Sequence, residues 1–130
     1  MYTVTKRDLE RFDLAIKVAS ESGCNFRHGV VIACGSRIIS IGMNRYKPRF
    51  TTSGNFNPRT TKISIHAEES AIIKSGRFHL KGSTLYSARS LANGMYGISK
   101  PCLNCAKWII LNEIKFVVYF DGINIVKEKV

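Results

Sequence analysis

The chain has 130 residues, 45% of them hydrophobic, with only three prolines and a formal net charge of +11. That is one domain's length with enough apolar content for one core, which argues against disorder, and no apolar run reaches membrane-spanning length. The charge is unevenly placed: between Ser22 and Asn112 the only acids are Glu68 and Glu69 against thirteen Lys and Arg, so that stretch carries the whole +11 and the two ends cancel.

A field this one-sided attracts anions such as a phosphorylated metabolite, RNA or single-stranded DNA. A merely solubilising surface is the plain alternative. The polar start, Met1 to Glu10, lacks the apolar core of an export signal, so a cytoplasmic protein is expected. In a reducing compartment the four cysteines, Cys24, Cys34, Cys102 and Cys105, are not read as disulfides. The Cys102/Cys105 spacing there signals metal or redox chemistry.

In chain order, Thr5 reads as an N-cap with Asp8 three residues on, opening a helix over 6–21 with Leu9, Phe12, Ile16 and Ala19 on one face and Gly23 as its stop. Val30 to Cys34 and Arg37 to Met43 read as a hairpin around Gly35-Ser36, with Ile39, Ile41 and Met43 on one face and Cys34 in the core. Asn44 to Ser64 is a long polar, basic loop, of a length that usually carries function. His66 to Ser75 reads as a short helix stopped by Gly76, and Ser83 to Ala88 as a strand. A second loop spans Ser90 to Lys100. Pro101 suits the first turn of a helix reaching about Asn112. Ile114 to Phe120 is a strand, Asp121-Gly122 a hairpin turn and Ile123 to Val130 the returning strand. One α/β domain over 1–130, a sheet of about five strands with helices on its faces, accounts for this order.

Two pieces carry chemistry. His66-Ala67-Glu68 opens one helix and Pro101-Cys102-Leu103-Asn104-Cys105 opens another. Cysteines three apart share a helix face. At a helix N-terminus the dipole and free N–H groups favour the thiolate that zinc requires. Two thiolates and one imidazole make three protein ligands and leave a fourth tetrahedral position open, as in catalytic zinc sites. Glu68, two residues past His66, is not needed as a ligand and is placed to move a proton. His-x-Glu followed by Pro-Cys-x-x-Cys is the signature of zinc nucleobase deaminases.

On these motifs the chain resembles the cytidine and deoxycytidylate deaminase superfamily, over roughly residues 6–120. The resemblance implies a three-layer cytidine-deaminase-like fold, an α/β mixed sheet with the two motif helices side by side on one face. It implies Zn2+ held by His66, Cys102 and Cys105, with Glu68 as the acid/base. It further implies that Asn44, which follows the second strand, contacts the sugar, and that the Ala67 backbone contacts the base. The expected reaction is hydrolytic release of ammonia from C4 of a cytosine, with Glu68 delivering protons to N3 and to the leaving amine. Deoxycytidylate is the first expectation for substrate. A polynucleotide, tRNA adenosine or single-stranded DNA cytosine, is the second. Self-association is expected from relatives. Two features depart from the pattern: Ser90 to Lys100 separates the strand from Pro101, and Asp121-Gly122 implies an antiparallel last strand, as in small cytidine and blasticidin-S deaminases.

The competing reading is a zinc-stabilised binding module without catalysis. A structural site needs a fourth ligand, from Cys24, Cys34, His28 or His79, and gives Glu68 no role. Among other residues, Arg45, Lys47, Arg49, Arg59, Lys62 and Arg89 are candidates for gripping phosphate. Phe50, Phe56 and Tyr96 are candidates for stacking on a base. Trp108 reads as core or interface.

Overall fold

The computed structural model of the chain describes residues 2–48, 62–76 and 79–130. The elements are α1 (Lys6–Ser20), β1 (Arg27–Cys34), β2 (Arg37–Met43), β3 (Arg45–Pro48), β4 (Lys62–Ile65) and α2 (Ala67–Lys74). They continue with β5 (Thr84–Ser90), β6 (Tyr96–Gly97), α3 (Leu103–Leu111), β7 (Phe116–Phe120) and β8 (Ile125–Lys129).

The main sheet runs β2-β1-β5-β7-β8, with β6 added on β5. Among the described residues only β5 and β7 pair in parallel; the other pairs are antiparallel, including the β7–β8 hairpin that Asp121-Gly122 foretold. Helices cover both faces. On one, α1 packs Phe12 and Ala15 against Val31, Ala33, Tyr86 and Val118. On the other, Ala67, Ala71 and Ile72 of α2 and Ile109 of α3 share a core with Val30, Ile32, Leu85 and Val117. The alternation of Val30 and Ile32 against Val31 and Ala33 is what lets one strand serve both layers. Each fully buried side chain of this size contributes about 2 kcal/mol.

Two glycines set how closely the helices approach. A Cβ on Gly29 would lie 2.3 Å from the Ala15 carbonyl oxygen, so α1 rests on bare backbone there. A Cβ on Gly42 would lie 2.5 Å from the Ala71 nitrogen and 2.7 Å from the Ala67 oxygen, so α2 does the same from the opposite face. The Ser40 hydroxyl donates to the Ala71 carbonyl at 2.7 Å and fixes that contact.

Several expectations are corrected. In α1 the buried face is Asp8, Phe12, Ala15, Val18 and Ala19, while Leu9 is exposed. The Thr5/Asp8 capping box is present, but the helix ends at Ser20 and Gly23 plays no part in stopping it. Cys34 is exposed at the turn, not in the core. In β2, Ser40 and Gly42 are the buried residues, turned toward α2, and Ile41 is exposed, whereas Ile39, at the register shift between Ile32 and Ala33, packs half-buried against the core as its apolar character suggests. The ends of the long loop pair as β3 and β4, from Arg45 opposite Ile65 to Pro48 opposite Lys62. The loop after β5 contains β6. Pro101 lies before the helix, whose N-cap is Cys102. Trp108 is not core: 45% of its surface is exposed. No helix among the described residues is long and apolar enough to cross a membrane.

Beyond Tyr86, which faces Val118, β5 and β7 part company. The segment after β5 fills the gap. There β6 pairs with Arg89 and Ser90, and Ser99 bridges the two strands by hydrogen bonds to Ser87 and Phe120. Splits at the carboxyl ends of parallel strands are where open α/β sheets place ligands.

Candidate active site

Both motif helices begin at this end of the molecule. His66 is the N-cap of α2 and Cys102 the N-cap of α3; each carbonyl accepts the first helical N–H, and neither side chain caps its own helix. The two side chains turn instead toward each other. The His66 Nδ1 atom lies 3.5 Å from Cys102 Sγ and 3.3 Å from Cys105 Sγ. One donor atom from each of the three residues lies within 4.8 Å of the others. A tetrahedral zinc with Zn–S of about 2.3 Å and Zn–N of about 2.0 Å spaces its S and N ligands about 3.5 Å apart, so the distances fit. The donor set, two sulfurs and an imidazole, suits zinc and leaves a fourth position open. Among the described residues none of Cys24, Cys34, His28 or His79 joins this group, which disfavours a closed structural site.

Glu68 is 4% exposed, one helical step inside α2. Burial pushes its carboxyl above the ordinary range, while its own backbone N–H, the Cys105 thiol and the nearby His66 pull the other way. Burial also holds the Cys105 thiol well above its usual range, reinforced by Glu68 and Cys102. A coordinated cation reverses that balance, because a metal-bound thiol gives up its proton.

The pocket beside these groups encloses about 320 Å³ and is lined by Phe26, His28, Asn44, His66, Ala67, Glu68, Arg89, Lys100 and Cys102. Asn44 is buried and rigidly held. Its Oδ1 accepts from the Ser22 hydroxyl at 2.7 Å and the His28 N–H at 2.9 Å, and its Nδ2 donates to the Phe26 carbonyl. Burial, with Arg89 and His66 nearby, depresses His28 to about 4, so its ring is neutral at physiological pH. Ala67 is fully buried and occupies the first helical position, where a backbone N–H has no helical acceptor.

The motifs and Asn44 therefore come together. The structure adds Phe26, His28 and Lys100, which the sequence reading did not place in the pocket. Their signal is non-local: antiparallel pairing sets His28 opposite Arg89 and Arg27 opposite Ser90. Tyr96 is not in the pocket. Its ring packs edge-on against Phe12 and Phe120 on the α1 side. Arg45 is exposed outside the pocket. Arg49, Phe50, Phe56 and Arg59, and the side chains of Lys47 and Lys62, lie outside the described residues.

Comparison with known proteins finds relatives of this chain. Over 126 residues the chain is 30% identical to a protein named deoxycytidylate deaminase from Schizosaccharomyces pombe, covering 86% of this chain and 36% of that one. It is 32% identical over 119 residues to one of the same name from Saccharomyces cerevisiae, covering 82% and 35%. The chain thus spans little more than a third of the length of these curated relatives. Among solved structures, the dCMP deaminase of cyanophage S-TIM5 in its apo form is 23% identical with a TM-score of 0.61, covering 84% of this chain and 78% of that one. At that identity the likeness speaks for the fold. Residues 5–121 match the family described as the cytidine and deoxycytidylate deaminase zinc-binding region, and with the zinc-fitting trio in place the chain belongs to that family.

Proposed function

We propose that this chain carries the active site of a hydrolytic deoxycytidylate deaminase, converting the cytosine of dCMP to uracil with release of ammonia. The observation that carries the reading is the buried Glu68 carboxyl, set beside three zinc-fitting donors in a pocket of about 320 Å³. The names of the two yeast relatives supply the nucleotide.

Zinc, when bound by His66, Cys102 and Cys105, supplies a Lewis acid that makes water a nucleophile at neutral pH. Glu68, buried beside the donors, would take one proton from the attacking water and deliver it to N3 as the C4–O bond forms. It then carries the second proton to the exocyclic nitrogen as the C4–N bond breaks and ammonia leaves. Its burial suits this double role, because it raises the proton affinity of the carboxyl above the ordinary carboxylate level. Asn44, locked by Ser22 and His28, presents the remaining Nδ2 hydrogen to the sugar. The Ala67 N–H at the start of α2 meets the base. Leu103, Ile110 and Leu111 leave the outer side of α3 apolar and exposed, which supports self-association through it.

A second reading, a polynucleotide substrate, is favoured by Phe26, 63% exposed at the pocket, and by the basic 22–112 stretch. It requires an affinity that falls steeply with salt.

The test incubates zinc-loaded protein with deoxycytidine, cytidine, their monophosphates, single-stranded DNA and tRNA, and measures ammonia. dCMP is expected to react fastest. Glu68→Gln is expected to retain zinc and lose at least about a hundredfold in rate. A zinc-replete Glu68→Gln protein with full activity would end this mechanism.

A further inference from the structure

Arg89 stands near the end of β5, just ahead of the segment 91–100 that separates this strand from Pro101 and Cys102. That segment packs around the arginine. Through β6, Gly97 comes opposite Arg89 in the ladder. A Cβ on Gly97 would lie 2.8 Å from Arg89 Cδ and 3.0 Å from its Cγ, so the aliphatic stem rests on glycine backbone. Phe26 covers the head, its ring centroid 4.9 Å from the guanidinium carbon. The guanidinium is thereby held at the pocket wall, and Lys100, the end of the same segment, lines the pocket with it. The Lys100 ammonium lies 5.9 Å from the Tyr119 ring centroid.

Among the described residues Arg89 has no anionic partner, and its Nε is buried there without a hydrogen-bond acceptor. The ion pair of Lys127 with Asp8 lies on the other face of the sheet, with α1. Among the described residues that line the pocket, Glu68 is the only acid, and it sits with the metal donors. A buried donor left unpaired is costly, and a clamped arginine with free N–H groups is the geometry that receives a planar or tetrahedral oxyanion.

We infer that Arg89, with Lys100 beside it, forms the phosphate subsite of this active site, so that this segment makes the protein select a nucleoside monophosphate over the nucleoside. This rests on the deaminase reading of the same pocket and deepens it. Phe26 and Gly97 act as positioning residues: they hold the stem and leave the fork facing the ligand.

The experiment measures the equilibrium affinities of deoxycytidine 5′-monophosphate and deoxycytidine by calorimetry, alongside ammonia release, for zinc-loaded wild type and Arg89→Gln. Wild type is expected to bind the monophosphate about thirtyfold more tightly than the nucleoside, the range expected of charge-assisted bonds. In Arg89→Gln the ratio is expected to fall to about three or less, with thermal melting used to verify the fold. Lys100→Gln is expected to lower the ratio less. A ratio unchanged in Arg89→Gln overturns the subsite, whether or not ammonia is released. Loss of the ratio without ammonia release from either ligand upholds the subsite and removes the deaminase reading instead.

Discussion

Ser87 and Ser99 hold each other by reciprocal hydrogen bonds, each hydroxyl donating to the other's carbonyl, at 2.8 and 2.7 Å. The Ser99 hydroxyl also accepts the Phe120 N–H at 3.0 Å. One side chain thus closes the split between β5 and β7 and fixes the chain two residues ahead of Pro101. Ser99→Ala removes a donor and an acceptor from a buried site and is expected to cost about 1–3 kcal/mol. The urea midpoint should fall with the slope unchanged; an unaltered midpoint would contradict the role given to Ser99.

Gly29 and Gly42 make a paired comparison. Alanine at either meets backbone atoms closer than 3.0 Å, so a helix has to move. Overpacking of this kind costs about 1–3 kcal/mol. Gly42→Ala displaces α2, which carries Glu68 and begins at His66. Gly29→Ala displaces α1, which carries none of the site. Both variants should melt earlier, but only Gly42→Ala should weaken zinc binding in a competitive chelator titration. Equal zinc affinities would show that α2 absorbs the shift elsewhere.

Asp8 gives stability a pH dependence. Burial alone would raise its carboxyl, but Thr5, the Tyr86 hydroxyl at 2.6 Å and the Lys127 ammonium at 3.1 Å carry it below the ordinary value. A carboxyl depressed by folding stabilises the native state above its unfolded value, about 3.9, and that contribution disappears as pH falls through the folded one. Asp8→Asn should therefore be less stable than wild type at pH 6. The difference in urea midpoint should shrink below about pH 4. A difference that grows on acidification would refute this assignment.

The metal donors are testable by composition. Wild type purified with zinc should carry about one ion per chain, the number a three-donor site with one open position holds. Cys102→Ala and Cys105→Ala should each retain less than about a tenth, since a two-ligand remnant binds poorly. Cys34→Ala, changed at the exposed turn of the β1–β2 hairpin, should retain the full amount. Chelation should lower the melting temperature of wild type, and added zinc should restore it.

The motif residues were legible because their chemistry is local: spacing along a helix start fixes which side chains converge. Helices α1, α2 and α3, the first hairpin and the last one were legible through periodicity and turn residues. What was not legible depends on partners distant in sequence. Strands β3, β4 and β6 are short, and pairing across the fold, not their own pattern, makes them strands. The apolar stripe of β2 was legible only in part: Ile39 packs against the core, but Ile41 is exposed, and Ser40 and Gly42 are the residues that face α2. Asp8 looked like a cap alone; that it is buried against Tyr86 and Lys127 follows only from the sheet order. Arg89 was visible as a charge near the motif, but its unpaired Nε was not.

The two helix starts at His66 and Cys102 have a dynamic consequence. A serine or aspartate at either position would bond the free N–H groups of the first turn; histidine and cysteine here do not. With eight and nine residues, α2 and α3 are too short to hold their ends by cooperativity. A metal joining His66, Cys102 and Cys105 clamps both starts at once. Loading should therefore slow amide hydrogen exchange in the first turns of α2 and α3 while leaving α1, closed by its own Thr5/Asp8 box, at the same rate. The ion would act as a shared fastener whose loss lets two helices fray together.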